Sequence, residues 1–231
     1  MRYLAIEAST LTPSCALWED GVITEHVCPS DKNSSETLLP AIQALLADHQ
    51  YAFSQLDGIA FGAGPGAFTG LRVAAAITQG LAFPWDLPVA PIETLAAVAW
   101  SAGADQVYSV LDARMGEIYA GAYRRRDGRL IRSGDLQVAP PALLNLPTDS
   151  EVWTLCGNAL AAYPALVERW DGRPLADSTA PTIPMAAAIA ELGSHAFADG
   201  KGLPAEGAQP IYVRDKVALT TAERLARGGK A

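Results

Sequence analysis

The chain has 231 residues, half of them hydrophobic and 18% charged, which is typical of a globular rather than a disordered protein. Its net charge of −8 excludes a protein that holds nucleic acid by electrostatics alone, because phosphate binding needs a surplus of cations. The three cysteines form no CxxC pair and no disulfide pattern, as expected in a reducing compartment. We read no export signal in MRYLAIEAST and expect a cytoplasmic protein.

The first 104 residues are predicted to begin with three strands and then to alternate between helices and strands. Asp20-Gly21 is a strong signal for a two-residue hairpin turn, which would place Cys15 opposite His26. Apolar runs and helical periodicity give strands at 3–7, 15–18, 22–27, 58–61 and around Val89, and helices at 35–50, 69–83 and 93–101.

The second half, residues 105–231, restarts in the same way after a boundary near 102–105. Asp127-Gly128 marks another hairpin turn, and we expect the last ten residues to be mobile. The order predicts an α/β protein made of two related halves, the second of them reduced. Its predicted elements are strands at 106–111, 117–123, 130–138 and 152–156 and a helix at 185–198.

The stretch GAGPGAFTGLR, residues 62–72, raises the question of a nucleotide site. A Walker A loop is excluded, since no lysine occurs between Lys32 and Lys201. A dinucleotide fingerprint fits loosely, but it belongs after the first strand of a sheet, and here it follows the fourth. Pro65 also removes an N–H donor that a phosphate would use. We therefore expect no cofactor on this stretch.

The helix that follows is apolar almost all round, which predicts burial on more than one side. It is not a membrane span, because Arg72 alone would cost roughly 2.5–3.5 kcal/mol on insertion. Either the helix at 35–50 covers its second face or a partner does. A ridge of small residues repeats every fourth position and would allow a close helix contact: Gly66, Gly70, Ala74, Thr78 and Ala82.

Five blocks carry a family resemblance: LAIEAST followed by Cys15, SSETLLPAI, GPGAFTGLRVAAAITQGLA, LDARMGEIYAGAY and PIYVRD. They span residues 3–216, and together they resemble the bacterial TsaB (YeaZ) family. The resemblance implies an actin/Hsp70/hexokinase-type (ASKHA) fold of two RNase H-like halves. It also implies a non-catalytic subunit in the formation of N6-threonylcarbamoyladenosine at adenosine 37 of tRNA.

The same resemblance implies a TsaD-like catalytic partner, a TsaE-like ATPase reached through the complex, and tRNA contacted only through the complex. A homodimer of the lone chain stays open. We expect the partner to meet the helices at 35–50 and 69–83. The residues predicted for this interface are Leu38, Leu39, Ile42, Leu46, Gly66, Phe68, Thr69, Gly70, Arg72, Val73, Ala74, Ile77, Thr78 and Leu81.

No catalytic, cofactor-binding or metal-binding residue is predicted. The first strand ends in Glu7, where ATP-binding proteins of this fold carry Asp, and the HxxxH metal pair of TsaD has no counterpart. Two features leave alternatives open. Cys15 and His26 form either a nucleophile–base pair or buried packing, and the arginines at 124–126, 129 and 132 either contact tRNA phosphates or form a solvated hairpin tip. The rival function is a small-molecule kinase or a peptidase-like enzyme of the same fold.

Overall fold

The computed structural model describes residues 1–214, so the predicted mobile tail lies outside the described residues. The first sheet has the strand order β3-β2-β1-β4-β5, with β1, β2 and β3 antiparallel and with β4 and β5 parallel to β1. The hairpin register is confirmed, since Cys15 pairs with His26 and Glu19 pairs with Val22. The strands are β1 Arg2–Glu7, β2 Ser14–Glu19, β3 Val22–Val27, β4 Gly58–Gly64 and β5 Val89–Glu93.

Within residues 1–214, the second sheet repeats this order except that it has no strand equivalent to β5. It runs β10-β6-β7-β8, with β10 parallel to β6, and β9 also pairs with β7. The single strand predicted at 130–138 is wrong, because Gly134 adopts φ +84° and divides it into β8 and β9. The strands are β6 Gln106–Arg114, β7 Glu117–Arg126, β8 Arg129–Arg132, β9 Gln137–Ala139 and β10 Thr154–Cys156. The two-sheet ASKHA architecture with a reduced second half is therefore confirmed.

Among residues 1–214, six α-helices cover the sheets. The helices α1 and α2 lie on one face of the first sheet, whereas α3 and α6 lie on the other. The short helices α4 and α5 cover the outer face of the second sheet. The bounds are α1 Ser34–Asp48, α2 Phe68–Ala82, α3 Thr94–Ala102, α4 Ala159–Ala162, α5 Pro164–Arg169 and α6 Ala186–Ala198. Within residues 1–214, none of the helices is both long and apolar enough to cross a bilayer.

The two faces of the first sheet differ because side chains alternate along each strand. Leu4 and Ile6 point towards α1 and α2, whereas Ala5 lies in the cluster formed with α6. Ala16, Ala60 and Ala90 continue this alanine surface. It lets α6 approach so closely that a Cβ at Gly193 would lie 2.3 Å from the Cβ of Ala60. Although α6 belongs to the second half in sequence, it covers one face of the first sheet.

The two halves are joined through α3 and through Glu93, the residue before it. Its Leu95 and Val98 pack against the second sheet, and Ala97 packs with the first. Glu93 accepts a hydrogen bond from Tyr123 Oη at 2.8 Å and pairs with Arg132 at 3.0 Å. These contacts fix the second sheet relative to α3 and to the end of β5.

Candidate functional site

The glycines of the 62–72 stretch are explained by close packing. A Cβ at Gly62 would lie 1.8 Å from Glu7 Oε2, and a Cβ at Gly70 would lie 1.8 Å from the carbonyl oxygen of Ala8. A Cβ at Gly66 would lie 2.5 Å from the Cβ of Ser9. The glycines therefore let β4 and α2 approach the end of β1.

The small-residue ridge lies against the chain's own core, which corrects part of the predicted interface. Ala74 and Thr78 have no exposed surface, and Gly70 is buried against the loop after β1. Three predicted contacts on α1 are also buried in the chain's own core and are at most 2% exposed: Leu38, Ile42 and Leu46. Helical periodicity identified the small-residue ridge of α2 and the apolar side of α1 but did not show which way they point. Both face the first sheet, because the face of the sheet beneath α1 and α2 carries the large side chains of β1, β2 and β4.

Four of the other predicted contacts are exposed on the outer side of the helices: Leu39, Phe68, Thr69 and Arg72. Val73, Ile77 and Leu81 are half-buried and also pack against the core, and Gly66 is half-buried in front of α2. Because α1 packs beside α2 on the same sheet, the outer sides of the two helices form one surface. We call it the α1–α2 face and define it by Leu39, Pro40, Gln43, Ala44, Ala47, Thr69, Arg72, Val73, Ala76, Ile77 and Gly80.

The α1–α2 face is almost free of charge. Residues 39–47 contain no charged side chain, and Arg72 is the single charged side chain of residues 68–82. Soluble proteins normally cover exposed helices with charged residues, and an uncharged exposed surface marks a site of association. Tyr212 was not among the predicted interface residues, yet its hydroxyl accepts a hydrogen bond from Arg72 Nε at 3.2 Å. No local pattern could have indicated this contact, since 140 residues separate the two.

A cleft of about 450 Å³ separates the two halves, and Ser9, Pro65, Asp112 and Arg114 contribute to its walls. Asp112 pairs with Arg114 at 3.2 Å and accepts a hydrogen bond from Tyr163 Oη at 3.0 Å. Glu7, beneath the cleft, accepts a hydrogen bond from the Ser9 N–H, and burial raises its pKa to about 7. Within residues 1–214, no three His, Cys, Asp or Glu side chains gather as a metal site would require.

The Cys15–His26 pair has the predicted alignment but not the properties of a catalytic pair. Cys15 is fully buried, and burial raises the pKa of its thiol to about 12. A thiol in that environment stays protonated near neutral pH and is a poor nucleophile. Of the two interpretations left open by the sequence, the structure favours packing.

Most arginines of the second hairpin form ion pairs or stacking contacts with side chains of the same chain. Arg124 lies 2.6 Å from Asp149 and 2.8 Å from Glu151, and Arg129 lies 3.1 Å from Asp199. Arg125 stacks on the ring of Trp100, with its guanidinium carbon 4.0 Å from the ring centroid. Internal pairing with acids, rather than solvation alone, is the main role of this cluster, and it leaves little positive charge for tRNA.

Comparison with known proteins identifies relatives along almost the whole chain. Residues 21–163 match the family described as TsaD, tRNA N6-adenosine threonylcarbamoyltransferase. The tRNA threonylcarbamoyladenosine biosynthesis protein TsaB of Escherichia coli is 33% identical over 94% of this chain and 96% of its own. TsaB of Haemophilus influenzae is 34% identical over 94% and 95%. The solved YeaZ structure from Pseudomonas aeruginosa has a TM-score of 0.82 at 37% identity and covers 92% of this chain and 99% of its own.

Proposed function

The chain belongs to the TsaB family of tRNA threonylcarbamoyladenosine biosynthesis proteins, and we propose that within this pathway it is a non-catalytic subunit that pairs with a TsaD-like enzyme. The α1–α2 face is the surface of that pairing. A TsaE-like ATPase and the tRNA are reached through the resulting complex, which acts in the cytoplasm. A homodimer that uses the same face competes with the complex when the partner is absent.

The observation that carries this proposal is the uncharged character of the α1–α2 face. The cores of protein interfaces are depleted of charged residues, because desolvating a charge costs free energy that an apolar side chain does not lose. On a chain with a net charge of −8, Arg72 is the single charged side chain of residues 39–47 and 68–82, and the exposed acids of α1, Glu36 and Asp48, lie near the two ends of that helix. The small side chains of Ala44, Ala76 and Gly80 would let the helices of a partner approach closely.

The state of the acidic groups near the cleft supports a non-catalytic role. Glu7 is turned into the protein and bonded to the Ser9 N–H, so its carboxylate faces the chain itself rather than a ligand. Asp112 is engaged by Arg114 and Tyr163. An enzyme of this fold would need at least one such group available for substrate or metal. The arrangement of these two acidic groups favours neither the kinase nor the peptidase alternative.

The experiment compares Ala76→Arg on the α1–α2 face with Ala165→Arg, a matched substitution at an exposed position of α5. Both proteins should keep the wild-type melting temperature, since both side chains project into solvent. Ala76→Arg should fail to co-elute with the TsaD-like protein of the same genome in size-exclusion chromatography. It should also fail to restore threonylcarbamoyladenosine, measured by mass spectrometry of tRNA nucleosides, in cells depleted of the native subunit. Ala165→Arg should behave as wild type in both assays.

Two outcomes would contradict the proposal. If Ala76→Arg co-elutes and restores the modification normally, the partner binds elsewhere. If the purified chain alone hydrolyses ATP steadily or cleaves the TsaD-like protein, it is an enzyme and not a non-catalytic subunit. The second outcome is checked with the same protein preparation, before any partner is added.

A further inference from the structure

Two aromatic side chains, Phe68 and Tyr212, hold the guanidinium of Arg72 in place at the edge of the α1–α2 face. The guanidinium carbon of Arg72 lies 3.8 Å from the centroid of the Phe68 ring, and Arg72 Nε donates to Tyr212 Oη at 3.2 Å. The rings of Phe68 and Tyr212 also contact each other, with centroids 5.7 Å apart. We call this group the Arg72 platform and define it by Phe68, Arg72 and Tyr212. All three side chains are exposed, Phe68 by 37% and Tyr212 by 50%.

The platform is anchored by its neighbours in the chain. Phe68 and Arg72 lie one turn apart at the start of α2, so their side chains project from the same side of the helix. The segment that carries Tyr212 is fixed on both sides. The Ile211 N–H donates to the carbonyl oxygen of Ala63 at 2.7 Å, and Arg214 pairs with Glu117. Arg72 is therefore held before any partner arrives, which lowers the conformational entropy lost on binding.

Arg72 differs from most arginines of residues 1–214 in having no acidic partner there. Six others form ion pairs with carboxylates of the chain: Arg2, Arg114, Arg124, Arg129, Arg132 and Arg214. In Arg72 the flat side of the guanidinium is stacked and Nε is bonded to Tyr212, whereas the two terminal amino groups have no hydrogen-bond acceptor among the described residues. These two amino groups are placed to bind a carboxylate through two parallel hydrogen bonds.

We propose that the Arg72 platform binds a carboxylate of the protein partner and is the electrostatic anchor of the interface. The inference rests on the proposed function and adds the chemistry of one contact. The surrounding face is uncharged, so water is excluded around the ion pair when the partner docks, and the attraction is stronger than at an open surface. A phosphate of tRNA is the less suitable acceptor, because phosphate backbones are bound by several cations in a row and Arg72 stands alone on its helix.

The control for the test is Arg126, another arginine for which no carboxylate or carbonyl partner is found within residues 1–214. It lies beside the turn of the second hairpin, is exposed, and pairs across the hairpin with Arg129. Arg126→Glu therefore makes the same change in net charge as Arg72→Glu at a site away from the α1–α2 face. The melting temperature of both variants should equal that of the wild type.

The probe is the TsaD-like protein of the same genome, titrated calorimetrically with each variant at about 50 and about 300 mM NaCl. We expect Arg72→Glu to raise Kd at least about tenfold, and Arg72→Lys to raise it about threefold, because an ammonium neither stacks nor forms two parallel bonds. Arg126→Glu should stay within about twofold of wild type. The wild-type Kd should rise with salt, and Arg72→Met should lose most of that dependence.

The possible failures are distinct. If the wild type does not bind the TsaD-like protein, the proposed function fails, and this inference fails with it. If the wild type binds but Arg72→Glu binds equally well, or if Arg126→Glu weakens binding as much, only the inference is overturned. If Arg72→Glu leaves the affinity for the TsaD-like protein intact and instead reduces binding of bulk tRNA to the complex, the acceptor is a phosphate and the carboxylate assignment is wrong.

Discussion

The contact between Gly70 and the loop after β1 leads to a quantitative prediction about stability. Gly70→Ala would place a Cβ 1.8 Å from the carbonyl oxygen of Ala8. To remove this clash, the two atoms must move at least 3.0 Å apart. Since the obstacle is backbone and not the end of a flexible side chain, α2 or the loop must retreat by about 1.2 Å. That movement would disturb the packing of the whole buried side of α2 on the sheet.

The magnitude follows from two opposing terms. Overpacking of a well-packed core costs typically 1–3 kcal/mol, and a backbone obstacle belongs at the upper end, about 3 kcal/mol. Replacing a helical glycine by alanine contributes about 1 kcal/mol in the opposite direction, since alanine loses less backbone entropy. Gly70→Ala should therefore lower the free energy of unfolding by about 2 kcal/mol, and Tm by about 4–8 °C for a chain of this size.

The matched control lies in the same helix. Gly80 is exposed, and a Cβ there would meet nothing within 4 Å. Gly80→Ala should therefore raise the free energy of unfolding by about 0.5–1 kcal/mol. Urea unfolding followed by circular dichroism measures both variants against the wild type. If Gly70→Ala is as stable as Gly80→Ala, the close approach of α2 to the β1 loop does not exist, and the explanation of the glycine-rich stretch is wrong.

Two further predictions concern buried titratable groups. Because burial raises the pKa of Glu7 from 4.5 to about 7, the folded chain keeps a proton that the unfolded chain releases, so stability falls as pH rises from about 4.5 through 7. Glu7→Gln should flatten this pH dependence in urea titrations, and an unchanged slope would contradict the burial of a titrating carboxyl group. The thiols of Cys15 and Cys156, whose pKa burial raises to about 12, should resist iodoacetamide at about pH 8 in the native protein and react in urea. Mass spectrometry that finds Cys15 alkylated in the folded protein would overturn the assignment of a structural role.

Local signals in the sequence predicted most of the fold. The Asp20-Gly21 turn set the register of the first hairpin, and apolar runs placed the strands and long helices within a few residues of their observed bounds. These features depend on neighbouring residues, so a pattern of ten to fifteen positions contains them. The break at Gly134 was missed, although Ser133-Gly134-Asp135 between the two apolar runs is a turn signal.

The candidate site was predicted only in part, because its geometry depends on contacts between distant segments. The periodicity of α2 identified a ridge of small residues and an apolar remainder, but it did not show that Gly70 meets the loop after β1. Likewise, nothing near Arg72 or Tyr212 indicates that they contact each other. The interface residues that stay valid as a proposal are those on the outer side of the helices, and that distinction required the sheet.

The position of α6 has a consequence for the order in which the chain can fold. The helix α6 covers the alanine surface of the first sheet, and it follows the last strand of that sheet by more than 90 residues. During synthesis the five strands are therefore complete long before the helix that protects them exists. Contacts so distant in sequence slow folding, and an uncovered apolar sheet face is prone to aggregation. The N-terminal half is thus expected to depend on chaperones until the chain is nearly finished.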